Sequence, residues 1–251
     1  MTGSLPPFRT RLGLLAQREL GRLTSILLLS LIGLWMRVLY GYRIRNAKEI
    51  RKQYAEIMRH KQWPLMICAN HLTMVDSFLA SWALGSIPWY IFHFSALPWH
   101  VPERKNFAAT WYQHLFIFLM KCIPIVRGGD RKEVSKVLKQ LTYLLRIGEV
   151  VFVFPEAGRS RSGRVDPNSA AYGVGRIIAT APGCRTLCVY LRGDHQETWG
   201  EVPVKGESFY VDIELIETKS EQRGMHKSKD LSQQVVDQLI AMEEKYFASR
   251  N

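Results

Sequence analysis

Apolar runs and helical periodicity divide the chain into alternating elements. Residues 64–69, 148–155 and 186–191 are nearly continuous apolar runs, the pattern of strands buried on both faces. Residues 208–216 alternate apolar and polar, as an outer strand does. Shorter runs at 89–94 and 123–126 read as further strands. Helical spacing fills the intervals. Residues 46–61 place Ile50, Tyr54, Ile57 and Met58 on one face, with Asn46 at the N-cap. Further helices are predicted over 77–84, 107–121, 169–180, and from Asp130, as cap, to Arg146. A last helix starts at Asp230 and carries the stripe Val235, Val236, Leu239, Ile240. Residues 127–131 and 193–195 read as turns, and 218–229 as a polar, basic loop. Alternating strands and helices predict an α/β fold, with 251 residues enough for one full core.

The segment 9–42 breaks this alternation. It is long, apolar and basic, and its longest uncharged stretch, 23–36, falls short of the ~20 residues that span a bilayer. Arg22 and Arg37 are placed to snorkel and lengthen it. No small-residue cleavage site follows, which argues against a signal peptide. Charge adds to the picture: residues 1–61 carry 12 Lys/Arg against 3 Asp/Glu, so most of the formal +12 lies at this end. A basic segment rich in Leu and Trp suits an anionic membrane surface. The expectation is a membrane-binding segment, 1–42, followed by an α/β domain, 43–251. One or two helices lying in one leaflet are favoured over a single span or a soluble core helix. No nucleic-acid motif accompanies the charge, so nucleic acid is not expected as a partner.

Candidate chemistry sits where two apolar runs end. After the first come Asn70, His71 and, five positions beyond the histidine, Asp76. A carboxylate on one imidazole nitrogen fixes the tautomer and leaves the other to accept a proton. No serine or cysteine nucleophile is evident beside the pair, so it suits activation of a second substrate's hydroxyl. After the other run comes Glu156-Ala157-Gly158-Arg159-Ser160-Arg161-Ser162-Gly163-Arg164. Arginine binds phosphate bidentately, and Gly158 and Gly163 would let backbone N–H groups approach an anion. Taken singly, the pair is a chance spacing and the loop a solvated basic turn. Together they describe a site for a phosphorylated alcohol. Four cysteines, 68, 122, 184 and 188, lie in or beside apolar runs and read as reduced and packed. No metal-ligand spacing is present and none is required by this chemistry.

Asn70-His71 with Asp76 resembles the N-H-x4-D motif of the glycerolipid acyltransferases, which include the 1-acyl-glycerol-3-phosphate and glycerol-3-phosphate enzymes. Residues 154–160, Phe-Pro-Glu-Ala-Gly-Arg-Ser, are similar to that family's F-P-E-G-T-R-S block, and Ile123 to Gly128 falls where the family carries a block ending in basic residues. The likeness covers roughly 43–215. Ala157-Gly158 replaces the usual Gly-Thr, and residues 156–164 look closer to the E-G-G-R-S-R-T-G-R version of the glycerol-3-phosphate enzymes, whereas chain length and Phe154-Pro155 look like the lysophosphatidate enzymes. The family's fourth block is poorly matched at 187–192.

The resemblance implies a mixed central sheet flanked by helices, N-terminal membrane helices, and acyl transfer to a lysophospholipid hydroxyl. His71 would be the general base and Asp76 its orienter. Arg159 would bind the acceptor phosphate, with Asn70, Arg127, Glu156, Gly158, Ser160, Arg161 and Arg164 as further binding residues. The aromatic region 87–126 would supply the slot for an acyl chain. The donor is an acyl thioester, on coenzyme A or on acyl carrier protein as a partner, and no cofactor is implied. The place of action is the cytoplasmic face of a membrane. Acylation of glycerol 3-phosphate or of a lyso-aminolipid, a thioesterase using the same dyad on water, and a non-catalytic membrane protein stay open.

Overall fold

The structure is a computed structural model and describes residues 5–107, 110–126, 128–156 and 158–250. The chain opens with one long helix, α1 (Phe8–Leu34), running into a π-helical turn at Trp35–Leu39. Then follow β1 (Arg43–Ile44), α2 (Ala47–His60), β2 (Leu65–Ala69), α3 (Asp76–Leu84), α4 (Ile87–Phe92), β3 (Trp99–His100), α5 (Arg104–Phe107) and α6 (Trp111–Leu119). The remainder is α7 (Arg131–Arg146), β4 (Val150–Val153), α8 (Tyr172–Thr180), β5 (Arg185–Gly193), β6 (Ser208–Ile216) and α9 (Gly224–Ala248).

The strands form one mixed sheet of six in the order β1-β6-β5-β2-β4-β3. β2 lies between β4 and β5, parallel to both, with Ile67 opposite Phe152 on one side and Leu187 on the other. These inner strands are buried along their length, which is why they read as unbroken apolar runs. Only β5 and β6 run antiparallel, and β6 keeps the half-buried alternation of an outer strand. Two apolar layers flank the sheet. One holds α2, α3 and part of α1 around Tyr54, Leu79 and Phe209, and the other holds α7, α8 and α9 around Leu141, Ile177 and Val235.

Helix α1 is turned inside out relative to a soluble helix. Its buried stripe is Leu14, Gln17, Gly21, Ser25, Leu29 and Gly33, mostly small or polar, while Leu20, Leu23, Ile26, Leu27, Leu31 and Leu34 are exposed. The small residues allow close approach: a Cβ on Gly21 would lie 2.6 Å from the Leu119 carbonyl, and one on Gly33 2.0 Å from Ile87 Cδ1. Gln17 secures the contact by donating from its amide to the carbonyls of Phe118 and Cys122, both at 2.9 Å. By length and composition the stretch Phe8–Leu39 is apolar enough to cross or bind a membrane.

Several sequence expectations are corrected. Residues 89–94 are not a strand: Ser86 caps α4 by accepting from the Trp89 N–H, and Pro88 occupies its first turn. Residues 123–126 form no strand, only isolated bridges at Cys122 and Ile125, because Pro124 cannot donate to a ladder. Of the helix expected over 107–121 the structure shows α6, Trp111–Leu119, started by a Thr110–Gln113 capping box. Asn46 precedes α2 but does not cap it; its amide donates to the Val211 carbonyl at 2.7 Å. Asp230 lies inside α9, which starts at Gly224.

Candidate active site

β2 and β4 are neighbours and parallel, so the loops leaving their C-terminal ends must emerge side by side. These are the two loops that the sequence marks. The first is closed by Asp76, at the start of α3. One carboxylate oxygen accepts from the backbone N–H of Leu72 (2.5 Å) and of Thr73 (2.6 Å); the other accepts from the Thr73 hydroxyl. The same carboxylate reaches His71 Nδ1 at 3.2 Å. Both side chains are almost fully buried. The ring is held flat by Phe154, at the end of β4, stacked 3.8 Å away at 9°. With Nδ1 on the carboxylate, Nε2 carries the free lone pair, and no hydrogen bond occupies it among the described residues.

The second loop is tied to the first through the main chain. The Ser160 N–H donates to the His71 carbonyl at 2.8 Å, and the His71 N–H donates to Glu156 Oε1 at 3.3 Å. Burial pushes the Glu156 carboxyl up to about 7, and its Oε2 is buried without a partner among the described residues. The Ser160 hydroxyl turns back to the Arg164 carbonyl. Asn70 faces the other way. Its side chain clamps β5, donating to the Leu191 carbonyl at 3.0 Å and accepting from its N–H at 2.8 Å.

Arg159 and His71 line one cavity of about 150 Å³, with Phe78, His100, Phe116 and Phe154 among its walls. The rest of the arginine loop diverges. Arg161 is exposed. Arg164 bonds Glu243 of α9 at 3.1 Å and lies 3.8 Å over the Phe247 ring, away from the cavity. A Cβ on Gly158 would make only an ordinary contact, with the Glu156 carbonyl oxygen at 3.9 Å. Arg127 lies outside the described residues.

His100 lines the cavity as a buried residue; desolvation, with the nearby Lys121 cation, holds its pKa down to about 3, so it is a neutral wall. One feature of the site was missed in the sequence. The loop between β5 and β6 forms a third side of the site. Gly200 N–H donates to the Leu72 carbonyl (2.9 Å), and Met74 N–H to the Glu201 carbonyl (3.0 Å). From this loop Trp199 supports the Arg159 guanidinium at 4.7 Å, and the Gly200 carbonyl accepts from Arg159 Nη1 at 2.8 Å. A lone Trp-Gly pair among charged residues was the only sequence signal.

The aromatic region 87–126, where the resemblance implies an acyl slot, supplies only part of this cavity's wall. Phe107, Phe116 and Ile117 come from that region, but Phe78, Phe152 and Phe154 come from α3 and β4.

The arrangement presents a buried imidazole on a carboxylate, a guanidinium on the same small cavity, and apolar walls. A comparison with curated proteins returns no match. The acyltransferase family model matches residues 24–192, more than half of the chain, and takes in His71, Asp76, Glu156 and Arg159 but not the β5–β6 loop, β6 or α9. The chain belongs to this family, that of the glycerolipid acyltransferases, and is an acyltransferase.

Proposed function

We propose that the protein moves a fatty acyl group from an acyl thioester, on coenzyme A or acyl carrier protein, to the free hydroxyl of 1-acyl-glycerol 3-phosphate, giving phosphatidic acid. His71 Nε2 takes the hydroxyl proton while Asp76 holds Nδ1. The oxygen attacks the thioester carbonyl, and the tetrahedral adduct collapses by breaking the C–S bond. The thiolate leaves and takes its proton from the imidazolium. The single observation that carries this reading is the geometry at His71: one nitrogen on a buried carboxylate, the other free, and Arg159 on the same cavity.

Arg159 holds the acceptor phosphate in this scheme. Glu156 and Ser160 act through the main chain of His71, fixing where the ring stands. Gly158 leaves the approach to Arg159 open, and Arg161 at the rim meets the phosphates of the donor. Arg164 braces the loop from behind through Glu243. Asn70 fixes the strand end from which the loop departs.

The outward face of α1 supports action at a membrane surface, with the acyl chains of both substrates arriving from the lipid. The four packed, free cysteines suit the reducing, cytoplasmic side.

The test is a transfer assay on membranes with labelled acyl-coenzyme A and three separate acceptors: lysophosphatidate, glycerol 3-phosphate and a lyso-aminolipid. Product with lysophosphatidate, falling by ~10² to 10⁴ in His71→Ala, is the expected result. Product only with another acceptor would replace the substrate assignment. Fatty acid released without any acceptor product would replace transfer by hydrolysis. Full turnover in His71→Ala would end the mechanism.

A further inference from the structure

Away from the reaction cavity, a groove of about 680 Å³ opens between the C-terminal end of α1, α2 and the start of α4. Three arginines line it: Arg37 from the π-helical turn, Arg43 from β1 and Arg51 from α2. Ser30 and Ser86 bring hydroxyls, and no carboxylate among the described residues lines it. Among the described residues the guanidinium groups of Arg37 and Arg43 make no hydrogen bond or ion pair. Arg51 donates to the Trp82 carbonyl at 2.9 Å, while its Nε is buried without a partner. Desolvation, and to a smaller degree the Arg37 charge, holds the Arg51 pKa below its ordinary value. Three guanidinium groups thus line one groove with no carboxylate among its described lining residues, an arrangement that an anion complements. Beside the groove, Leu34 and Val38 of the exposed α1 face lie at its edge.

From this convergence we infer that the groove is a second, non-catalytic anion site that takes the phosphate headgroup of an anionic membrane lipid. Planar guanidinium groups match phosphate oxygens two at a time. Leu34 and Val38 mark the side from which a lipid's acyl chains would rise. The inference rests on the membrane-facing reading of α1 and adds to it a discrete site.

The experiment is flotation of the full chain with phosphatidylcholine vesicles, with and without phosphatidylglycerol. Arg37→Gln/Arg43→Gln is compared with Arg9→Gln/Arg22→Gln, which removes the same charge from α1 outside the groove. Diffuse attraction weakens binding about fivefold per arginine in either variant. A site adds to this, so the groove variant should lose its preference for anionic vesicles by about tenfold more than the control. Inorganic phosphate at matched ionic strength separates the sources. Competition shows that phosphate alone fills the site, and its absence with the groove effect intact shows that the lipid headgroup is required. Equal losses in the two variants would overturn the site. So would capture of acyl carrier protein that the groove variant loses while vesicle binding stays unchanged. Failure of the parent protein to float with any vesicle would instead strike the membrane reading itself.

Discussion

The guanidinium of Arg159 lies 4.7 Å over the indole of Trp199, and the next carbonyl in the chain, Gly200, accepts its Nη1 hydrogen at 2.8 Å. The cation is thus held in one plane by a residue from a different loop, one that also grips the turn after His71. A partly exposed cation–π contact contributes ~0.5 to 2 kcal/mol. Trp199→Ala should raise the acceptor KM about two- to thirtyfold while kcat and the donor KM change little. Trp199→Phe should recover part of the loss. Initial rates against acceptor at saturating donor measure both, and an unchanged acceptor KM would detach Trp199 from the site.

Asp76 closes the turn and orients the imidazole with one carboxylate. Removing it leaves the N–H groups of Leu72 and Thr73 unpaired, at ~1 to 3 kcal/mol each. Asp76→Ala should therefore lower both kcat and Tm, the latter by about 5 °C or more for a chain of this size. Thr73→Val removes one of the four bonds and should cost less stability with most activity kept. Thermal unfolding beside turnover distinguishes the two roles.

Stability should carry a pH signature from Glu156. Its carboxyl lies at about 7 in the fold against an ordinary value of 4.5, because burial disfavours the anion. The folded state then binds more protons than the unfolded chain between those values. The contribution is full below about 4.5 and is lost as the pH rises through about 7. Glu156→Gln should flatten the stability profile across that window, read from denaturant unfolding at a series of pH values. A variant whose profile keeps the parent slope there would place the titration elsewhere.

The two faces of α1 should respond to opposite substitutions. Gly21→Leu, directed at the Leu119 carbonyl, should lower Tm. Leu23→Gln and Ile26→Gln, on the exposed face, should leave Tm unchanged and weaken vesicle binding by about tenfold each. Circular dichroism with vesicle flotation reads both, and a loss of Tm from the outward substitutions would make that face part of the core.

Much of this was legible beforehand because the informative strands are buried on both sides. β2, β4 and β5 stand out as apolar runs, and the two loops that follow β2 and β4 carry charged residues that a turn alone does not need. What misled was local chemistry overruled by context. The aromatic run Trp89 to Phe94 has strand propensity, yet Ser86 and Pro88 start a helix there. Asp230 looked like a cap, but α9 begins earlier because its first turns pack on α8, with Ser228 buried and Ser232 bonded to the Ala171 carbonyl. Trp199 was invisible as part of the site because its partner, Arg159, is 40 positions away in sequence and meets it only once the sheet is assembled. The arginine loop read as one basic unit, whereas Arg159 and Arg164 point to opposite sides.

The small-residue stripe of α1 has a mechanical consequence. A helix joined to its domain by a linker lets the body swing, but one packed along its length from Leu14 to Gly33 gives it no hinge. With the outward face settled in lipid, the reaction cavity would ride at one height and one tilt, like a hull on its keel. Each acyl chain would then have to climb the same distance whatever its origin. For a helix lying in one leaflet, bilayer thickness, which decides how well a spanning helix fits, would drop out.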